Sequence, residues 1–308
     1  MSEYRKYIHV ERLETEECEG LLDNNAVHIT AKIDGTNGCV FWSDADHMVA
    51  VGSRNHQLTE AEDNAWFHRW VNGPTEEAKL LREYCQAHTD RIVYGEWMGA
   101  NKFTGAFKHY DKAALGTFIL FDVYDTQGQS FLGETEWRAD LAEWGLEPYF
   151  VKVLAVLNHP SIEDVMAVAR TNDYLLEGTG LVGEGVVCKV PGWKNRFGRT
   201  AYGKIVLSEF KKQAKPKAAT SSAEAEIIEC YMTDAELEKT AAKVCTACDE
   251  KAFNPSSRKM MGMLLSMCWK DLLAECPNWV KRMKNPTVDF AKLSGLCAAR
   301  VKSHVEAN

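Results

Sequence analysis

Lys32 is the residue whose surroundings most clearly predict chemistry. Apolar side chains alternate from Val27 to Ile33, which predicts a β-strand with Lys32 and Asp34 on the opposite face. The pair Asp34 and Gly35 is typical of a tight hairpin, and the apolar run after it is predicted to be the returning strand. A lysine that is partly desolvated and near other cations has a lowered pKa, so its amine can act as a nucleophile near neutral pH. Taken alone, the same pattern also fits an ordinary surface hairpin.

Two further predicted strands carry acids that need a partner or a ligand if they are buried. An apolar run around Glu96 predicts a strand with a single internal carboxylate. The run 183–189 predicts another strand that contains Glu184 and Lys189. Strict alternation would place these two side chains on opposite faces, and a bend at Gly185 would reconcile them. A carboxylate supplies hard oxygen ligands for Mg²⁺, and a lysine neutralises the charge of a phosphate.

An arginine and a phenylalanine are further candidates on predicted strands. Arg54 ends the strand predicted for residues 47–54, where a guanidinium is usually a solvated surface charge. Phe121 lies in the strongly β-forming run 117–125, and Phe118 in the same run is the alternative candidate. By pattern alone, phenylalanines in such a run usually belong to the core.

Taken in order, these segments resemble the motifs of the covalent lysine nucleotidyltransferases, the superfamily of ATP-dependent ligases and messenger-RNA capping enzymes. Segment 32–35 is similar to the motif whose lysine becomes adenylylated or guanylylated. Segment 183–189 resembles the fourth motif of the superfamily. Segment 202–206, which contains Lys204, resembles the fifth motif, in which lysines face the α-phosphate of the nucleotide. The resemblance covers about residues 27–210.

The resemblance implies a role for each matched residue. The implied catalytic residues are Lys32 as the nucleophile, Glu184, Lys189 and Lys204. The residues implied to contact the nucleotide are Ile33, Asp34, Asn37, Arg54, Glu96, Phe121, Lys189 and Lys204, with Phe121 stacking on the purine. Glu184 and Glu96 are the implied metal ligands. The implied cofactors are ATP and Mg²⁺, with Mn²⁺ as a substitute.

Three positions distinguish this chain within the superfamily. Val206 stands where the fifth motif has its second lysine, which leaves Lys189 or Arg199 as the second cation for the phosphate. Asp34 stands where ligases of the phage nick-sealing type often have histidine. Asn37, in contrast, is similar to the lysine motif of RNA ligases of the phage nick-sealing and kinetoplastid editing type, because DNA ligases usually have a charged residue there.

The expected fold is α+β, with a nucleotidyltransferase domain of ATP-grasp-like antiparallel sheets and flanking helices, followed by a small all-helical C-terminal domain. Capping patterns predict helices that open at Thr59 and Ser161. A strand is predicted over Tyr7–Val10, beside the lysine strand. A small, polar, proline-containing stretch predicts a linker, and we place the domains at residues 1–217 and 218–308.

The region between Lys189 and Lys217 contains nine Lys or Arg residues and one acid, whereas the whole chain has a net charge of −8. Such a local reversal of charge indicates contact with a polyanion. DNA ligases and capping enzymes carry a β-barrel OB domain after the fifth motif, whereas the pattern here is helical. The resemblance therefore favours an RNA ligase.

We expect an ATP-dependent, phage-like RNA ligase that acts in RNA repair. The implied reaction joins an RNA 3′-OH to a 5′-phosphate through lysyl-AMP and RNA-adenylate intermediates, and the helical domain would engage RNA. Two alternatives stay open: a ligase of DNA or hybrid nicks, and a polynucleotide-binding module that kept the fold without turnover. The sequence does not distinguish a nicked duplex from single-stranded RNA as the substrate.

Composition predicts a protein of the cytoplasm, or of the host cytoplasm if the source is viral. Of the 308 residues, 45% are hydrophobic and 26% are charged, and no apolar run is long enough to cross a membrane. The ten cysteines show no regular framework, which favours reduced thiols over disulfides. We expect a monomer.

Overall fold

A computed structural model describes residues 4–99, 110–178, 180–207, 222–250, 252–281 and 287–307. These residues belong to two compact units, one formed by the described residues up to 207 and the other by those from 222 onward. The predicted α+β class is confirmed: antiparallel sheets with flanking helices are followed by C-terminal helices. The predicted boundary between residues 217 and 218 lies outside the described residues and stays a prediction.

The first unit contains two sheets and the helices that cover them. Its strands are β1 (Glu11–Arg12), β2 (Val27–Lys32), β3 (Thr36–Ser43), β4 (Met48–Ser53), β5 (Gln57–Leu58), β6 (Arg91–Trp97), β7 (Phe118–Asp125), β8 (Ser130–Phe131), β9 (Val153–Leu157), β10 (Gly185–Lys189) and β11 (Gly203–Val206). Its helices are α1 (Phe67–Val71), α2 (Glu76–Ala87), α3 (Glu134–Ala142) and α4 (Ile162–Arg170). One sheet has the order β1-β11-β10-β2-β9 and the other the order β5-β4-β3-β6-β7-β8.

The predicted hairpin at Asp34 and Gly35 is wrong, because the strands on its two sides belong to different sheets. β2 pairs with β10 and β9, whereas β3 pairs with β4 and β6. The chain therefore crosses from one sheet to the other just after Lys32. Gly35 permits this crossing, since a Cβ at that position would lie 2.8 Å from the Glu96 side chain and 2.8 Å from the Trp97 carbonyl oxygen.

The two sheets pack face to face through aromatic and small apolar residues. Phe41, Tyr94 and Tyr124 of the six-stranded sheet share one buried cluster with Tyr202, and Val187 of the five-stranded sheet packs against it. Paired residues on neighbouring strands share a face. Lys32 and Val187 therefore lie on the same face of the five-stranded sheet, and this face is turned toward the six-stranded sheet.

Two local predictions differ from the structure, and one strand was not predicted. Thr59 accepts a hydrogen bond from the Glu62 N–H at 3.1 Å but opens no helix. α1 begins at Phe67 instead, where Asp63 accepts the N–H of His68 at 2.8 Å. The strand predicted over Tyr7–Val10 is also wrong, because pairing begins at Glu11 and involves β11 rather than the lysine strand. β9 is an edge strand that the sequence patterns did not indicate. The capping box at Ser161 is confirmed.

The second unit is helical, as predicted, with α5 (Ala223–Tyr231), α6 (Asp234–Ala247), α7 (Arg258–Lys281) and α8 (Phe290–Ala307). Its core combines aliphatic side chains such as Leu264 and Leu293 with buried cysteines, among them Cys268 and Cys297. Burial raises the pKa of the Cys268 thiol to about 12 and that of Cys297 to about 11. Among the helices that the structure describes, none has both the length and the apolar character needed to cross a bilayer.

Glu77 in the first turn of α2 gives the first unit a predictable response to pH. Its side chain is 5% exposed and accepts the Phe118 N–H at 2.9 Å, and burial raises its pKa from 4.5 to about 8. Between these two values the folded protein binds a proton that the unfolded chain releases. Stability therefore falls as pH rises through this window.

We expect Glu77→Gln to remove this dependence, because the amide oxygen keeps the hydrogen bond and carries no charge. The variant should gain on the order of a few kcal/mol relative to the wild type near pH 8 and little near pH 5. Urea unfolding at both pH values measures the gain, and Glu76→Gln, an exposed neighbour on the same turn, is the matched control. An equal difference at both pH values would contradict the assignment.

Candidate active site

Lys32 and Glu184 form an ion pair at the crossing between the sheets. Lys32 Nζ donates to Glu184 Oε2 at 2.5 Å, and each side chain is 23% exposed. The pairing of β2 with β10 sets this contact, because Lys32 lies directly opposite Gly185. The sequence-predicted nucleophile and the sequence-predicted metal ligand are thus in direct contact.

The backbone around Glu184 is held by a residue that the sequence analysis missed. Asn172 is 1% exposed, and its side-chain Nδ2 donates to the Gly185 carbonyl at 2.8 Å. The backbone carbonyl of Asn172 accepts the Gly183 N–H at 2.7 Å. A Cβ on Gly185 would lie 1.8 Å from the Ile205 carbonyl oxygen, so only glycine fits there. The sequence did not indicate this role of Asn172, because an asparagine just after a helix is common in turns.

Glu96 and Asp34 lie at the same crossing. Glu96 Oε1 accepts the Gly35 N–H at 3.0 Å, and Glu96 lies opposite Asn37 across the β3–β6 pairing. The Asp34 N–H donates to the hydroxyl oxygen of Tyr110 at 2.9 Å. The structure thus places the predicted residues Asp34, Asn37 and Glu96 at the crossing that follows Lys32, and it adds Tyr110, which the sequence patterns did not indicate.

The charges around Lys32 keep its amine protonated. Burial lowers the pKa of Lys32, but three nearby carboxylates outweigh burial, and the pKa is raised above its usual range. These carboxylates belong to Glu184, Glu96 and Asp34. The expectation of a lowered pKa is therefore wrong, because the groups nearest the ammonium are anions rather than cations. A neutral amine requires that this negative charge be offset.

Lys189 lies at the other end of β10. It lies four positions after Gly185, the partner of Lys32, a distance of roughly 13 Å along a strand. Lys189 is 5% exposed, and its Nζ donates to the Phe121 carbonyl at 2.6 Å and to Asp122 Oδ2 at 2.9 Å. The Tyr7 hydroxyl also donates to Asp122 Oδ2, at 2.6 Å. Lys189 is therefore held in a buried network, away from Lys32.

The two phenylalanine candidates have different surroundings. Phe118 is fully buried and packs against Phe67 at 4.6 Å between ring centroids, so it is a core residue. Phe121 is half-buried and follows the irregularity in the pairing of β6 with β7. Its ring lies 5.0 Å from the ring of Tyr7, and Lys189 Nζ lies 5.5 Å from its centroid. Phe121 remains the candidate for a base-stacking ring.

The remaining predicted cations are spread along the sheets. Lys204 pairs with Val187, so it lies on the same face of the sheet as Lys32. Val206 pairs with Gly185, which is also the partner of Lys32, so Val206 lies at the same level of the sheet as Lys32. Arg54 is exposed just beyond the end of β4. Arg199 is exposed in the loop that follows the Lys189 end of β10, so neither Arg199 nor Lys189 lies beside Lys32.

The family model described as RNA ligase matches residues 25–206, which is more than half of the 308 residues. No curated protein sequence matches the chain.

Solved structures of an RNA ligase from Naegleria gruberi resemble the fold. An apo mutant is 20% identical with a TM-score of 0.50, and the match covers 69% of this chain and 58% of that one. The same ligase with PPi is 21% identical with a TM-score of 0.47, over 70% of this chain and 59% of that one. A mutant with AMP and Mn is 20% identical with a TM-score of 0.49, and the match covers 69% of this chain and 59% of that one. The chain thus spans less than three fifths of the length of these Naegleria chains.

We expect Glu184→Gln to lower the pKa of Lys32, because it removes the nearest negative charge. The amine should then react at a lower pH with an amine-specific reagent, as followed by peptide mass spectrometry across a pH series. Asn172→Ala should shift the reactivity of Lys32 in the same direction by less, because it loosens the segment that holds Glu184, and should cost about 1–3 kcal/mol of stability.

Glu16→Gln serves as the matched control, since Glu16 is an exposed carboxylate distant in sequence from these residues. Unchanged reactivity of Lys32 in the Glu184 variant would contradict the assigned cause of its raised pKa.

Proposed function

The chain belongs to the RNA ligase family, as the family match over residues 25–206 shows, and we propose that it is an ATP-dependent enzyme joining RNA ends. The reaction proposed links a 3′-OH to a 5′-phosphate through lysyl-AMP and RNA-adenylate intermediates. The observation that carries the proposal is the ion pair of Lys32 with Glu184 at the crossing between the two sheets. This contact brings the proposed nucleophile and the proposed metal ligand to one place.

ATP and a divalent metal are the proposed cofactors. Naegleria gruberi RNA ligase mutants have been solved with ATP and Mn and with AMP and Mn. In this chain, Glu184 and Glu96 supply carboxylate oxygens close to Lys32, which suits Mg²⁺ or Mn²⁺ shared with phosphate oxygens. Within the described residues no group of three His, Cys, Asp or Glu side chains could hold a metal unaided, so the nucleotide would complete the site. The metal would neutralise phosphate charge.

Glu184 has two proposed tasks that compete with each other. As a partner of Lys32 it stabilises the ammonium, which has no lone pair for attack. As a metal ligand it would release Lys32, whose pKa then falls. The ammonium loses a proton to solvent, and the neutral amine attacks the α-phosphorus of ATP. A nitrogen–phosphorus bond forms, pyrophosphate leaves with the electrons of the broken phosphorus–oxygen bond, and a second proton of the amine passes to solvent. Positioning and charge stabilisation contribute most of the catalysis in such transfers.

The other predicted residues are assigned by location. We assign Ile33, Asp34 and Asn37 to the nucleotide side of the crossing, and Arg54 to phosphate or ribose contact. Lys204 shares the face of Lys32 and is proposed to serve the α-phosphate. Lys189 is proposed as a positioning residue, since its bonds to the Phe121 carbonyl and to Asp122 fix the segment carrying the stacking ring.

Ligation of DNA or hybrid nicks is the alternative from the same class. A binding module without turnover would not need a lysine next to three carboxylates, so the site geometry favours an enzyme. RNA repair, a phage-like origin, action in a cytoplasm and a monomeric state belong to the same proposal.

We expect incubation with α-labelled ATP and Mg²⁺ to attach AMP covalently to Lys32. Lys32→Ala and Lys32→Arg should both lose the label, because neither side chain offers an amine of suitable pKa. Lys152→Ala, an exposed lysine near the same sheet, should retain it. Peptide mapping locates the adduct, and a label on a different lysine would refute the assignment.

We also propose that the helical unit engages RNA. A protein ending at residue 217 should keep self-adenylylation, because every assigned nucleotide contact precedes that residue. It should lose most end joining, since phosphate contacts outside the nucleotide site hold polynucleotide ends in register. Gel assays of both steps, with circular dichroism to confirm folding, test this. Full joining by the folded fragment would exclude a role of the helices in RNA engagement.

A further inference from the structure

The loop between β10 and β11 forms an ordered hairpin that the catalytic proposal does not use. We call residues 193–200 the Phe197 hairpin. Lys194 pairs with Thr200 across it, and the Asn195 N–H donates to the Arg199 carbonyl at 2.9 Å. The Asn195 side chain accepts the N–H groups of Phe197 and Arg199, each at 3.1 Å. These bonds within the loop fix its backbone.

The tip of the Phe197 hairpin presents an aromatic ring between cations. The Gly198 N–H donates to the Asn195 carbonyl at 2.8 Å, which places Arg196 and Phe197 at the centre of a β-turn. Phe197 is 54% exposed, although burial of a large apolar side chain is favourable in free energy. Lys194 and Arg199 are also exposed. An ordered, exposed ring among positive charges is suited to binding rather than to packing.

Arg196 orients the ring and is itself held by acids. Its guanidinium lies 4.9 Å from the centroid of Phe197, donates to Glu19 at 2.8 Å and also bonds to Glu16. All three side chains of this ion-pair group are about half exposed or more, so the pairs are screened by water and easily exchanged. A phosphate could therefore replace Glu16 or Glu19 on Arg196 at little cost.

We propose that the Phe197 hairpin binds the RNA strand, with a base stacked on Phe197 and phosphates next to Lys194 and Arg199. This inference rests on the proposed function. Stacking on an aromatic side chain suits any base, and adjacent cations suit the backbone of a polyanion. A protein partner is less favoured by the charges, because positive side chains flank the ring in a chain that is acidic overall.

The position of the hairpin predicts which nucleotides it contacts. β10 runs from the level of Lys32 to Lys189, roughly 13 Å, before the hairpin begins. At about 3.4 Å per nucleotide along a stacked strand, the contact lies on the order of four or more nucleotides from the joined ends. The hairpin therefore strengthens binding of long RNA and leaves the chemistry at Lys32 unaffected.

The experiment measures binding of a labelled 5′-phosphorylated single-stranded RNA and of a dinucleotide by the full-length protein. Phe197→Ala and Phe197→Leu should each weaken binding of the long RNA at least about fivefold, and Phe197→Trp should preserve it, because only an aromatic ring stacks. Binding of the dinucleotide should not change. Met48→Ala, at an apolar side chain that is 50% exposed on another strand, is the matched control.

Charge variants test the same surface independently. Lys194→Ala and Arg199→Ala should each reduce the salt dependence of RNA binding, by roughly 0.7 in the logarithmic slope. The double change Glu16→Gln with Glu19→Gln should tighten RNA binding, since it removes two competitors for Arg196. Wild-type salt dependence of RNA binding in both Lys194→Ala and Arg199→Ala would overturn the proposal.

Self-adenylylation of each variant separates this inference from the proposed function. The Phe197 variants should be labelled by ATP as the wild type is. Wild-type RNA affinity in Phe197→Leu, or an equal loss in Met48→Ala, would overturn the hairpin proposal and leave the ligase proposal intact. Absence of labelling in the wild type would instead overturn the ligase proposal.

Discussion

The ion pair between Lys32 and Glu184 determines the state of the whole site. A contact of 2.5 Å between a partly buried ammonium and a carboxylate stabilises both charges, so the amine stays protonated while the contact lasts. Glu96 and Asp34 add further negative charge. In the proposed reaction, the amine would become reactive only when positive charge, such as a metal bound by Glu184, offsets these carboxylates.

The ion pair depends on two positions where a side chain is not tolerated. Gly35 allows the chain to leave one sheet directly against Glu96 and Trp97, and Gly185 allows β10 to lie against β11 beside Glu184. At the other end of β10, Lys189 and Asp122 form a buried pair in which loss of either partner typically costs about 3–5 kcal/mol. The pair of Lys189 with Asp122 thus joins the two sheets, whereas the pair of Lys32 with Glu184 joins two neighbouring strands of the five-stranded sheet.

The sequence predicted most of the strands and the residues near the nucleophile, because alternation and motif spacing are local properties. It failed at Asp34 and Gly35, where the same dipeptide is compatible with a hairpin and with a crossing between sheets. The choice between these is made by Glu96 and Trp97, which are distant in sequence. The raised pKa of Lys32 was missed for the same reason, since its sign depends on which charges the fold assembles. Asn172 acts through backbone groups of residues 183 and 185, and such a role leaves no pattern in the sequence.

The distribution of cysteines has a practical consequence for chemical labelling. The cysteines of the first unit, Cys18, Cys39, Cys85 and Cys188, are all buried. Burial raises the pKa of Cys18, Cys39 and Cys188 to about 12, so their reactive thiolates are scarce at neutral pH. Cys230 and Cys248, both in the helical unit, are the half-buried ones. A maleimide dye added to the native protein would therefore mark the helical unit selectively, giving a fluorescent reporter on that unit with no engineered residue.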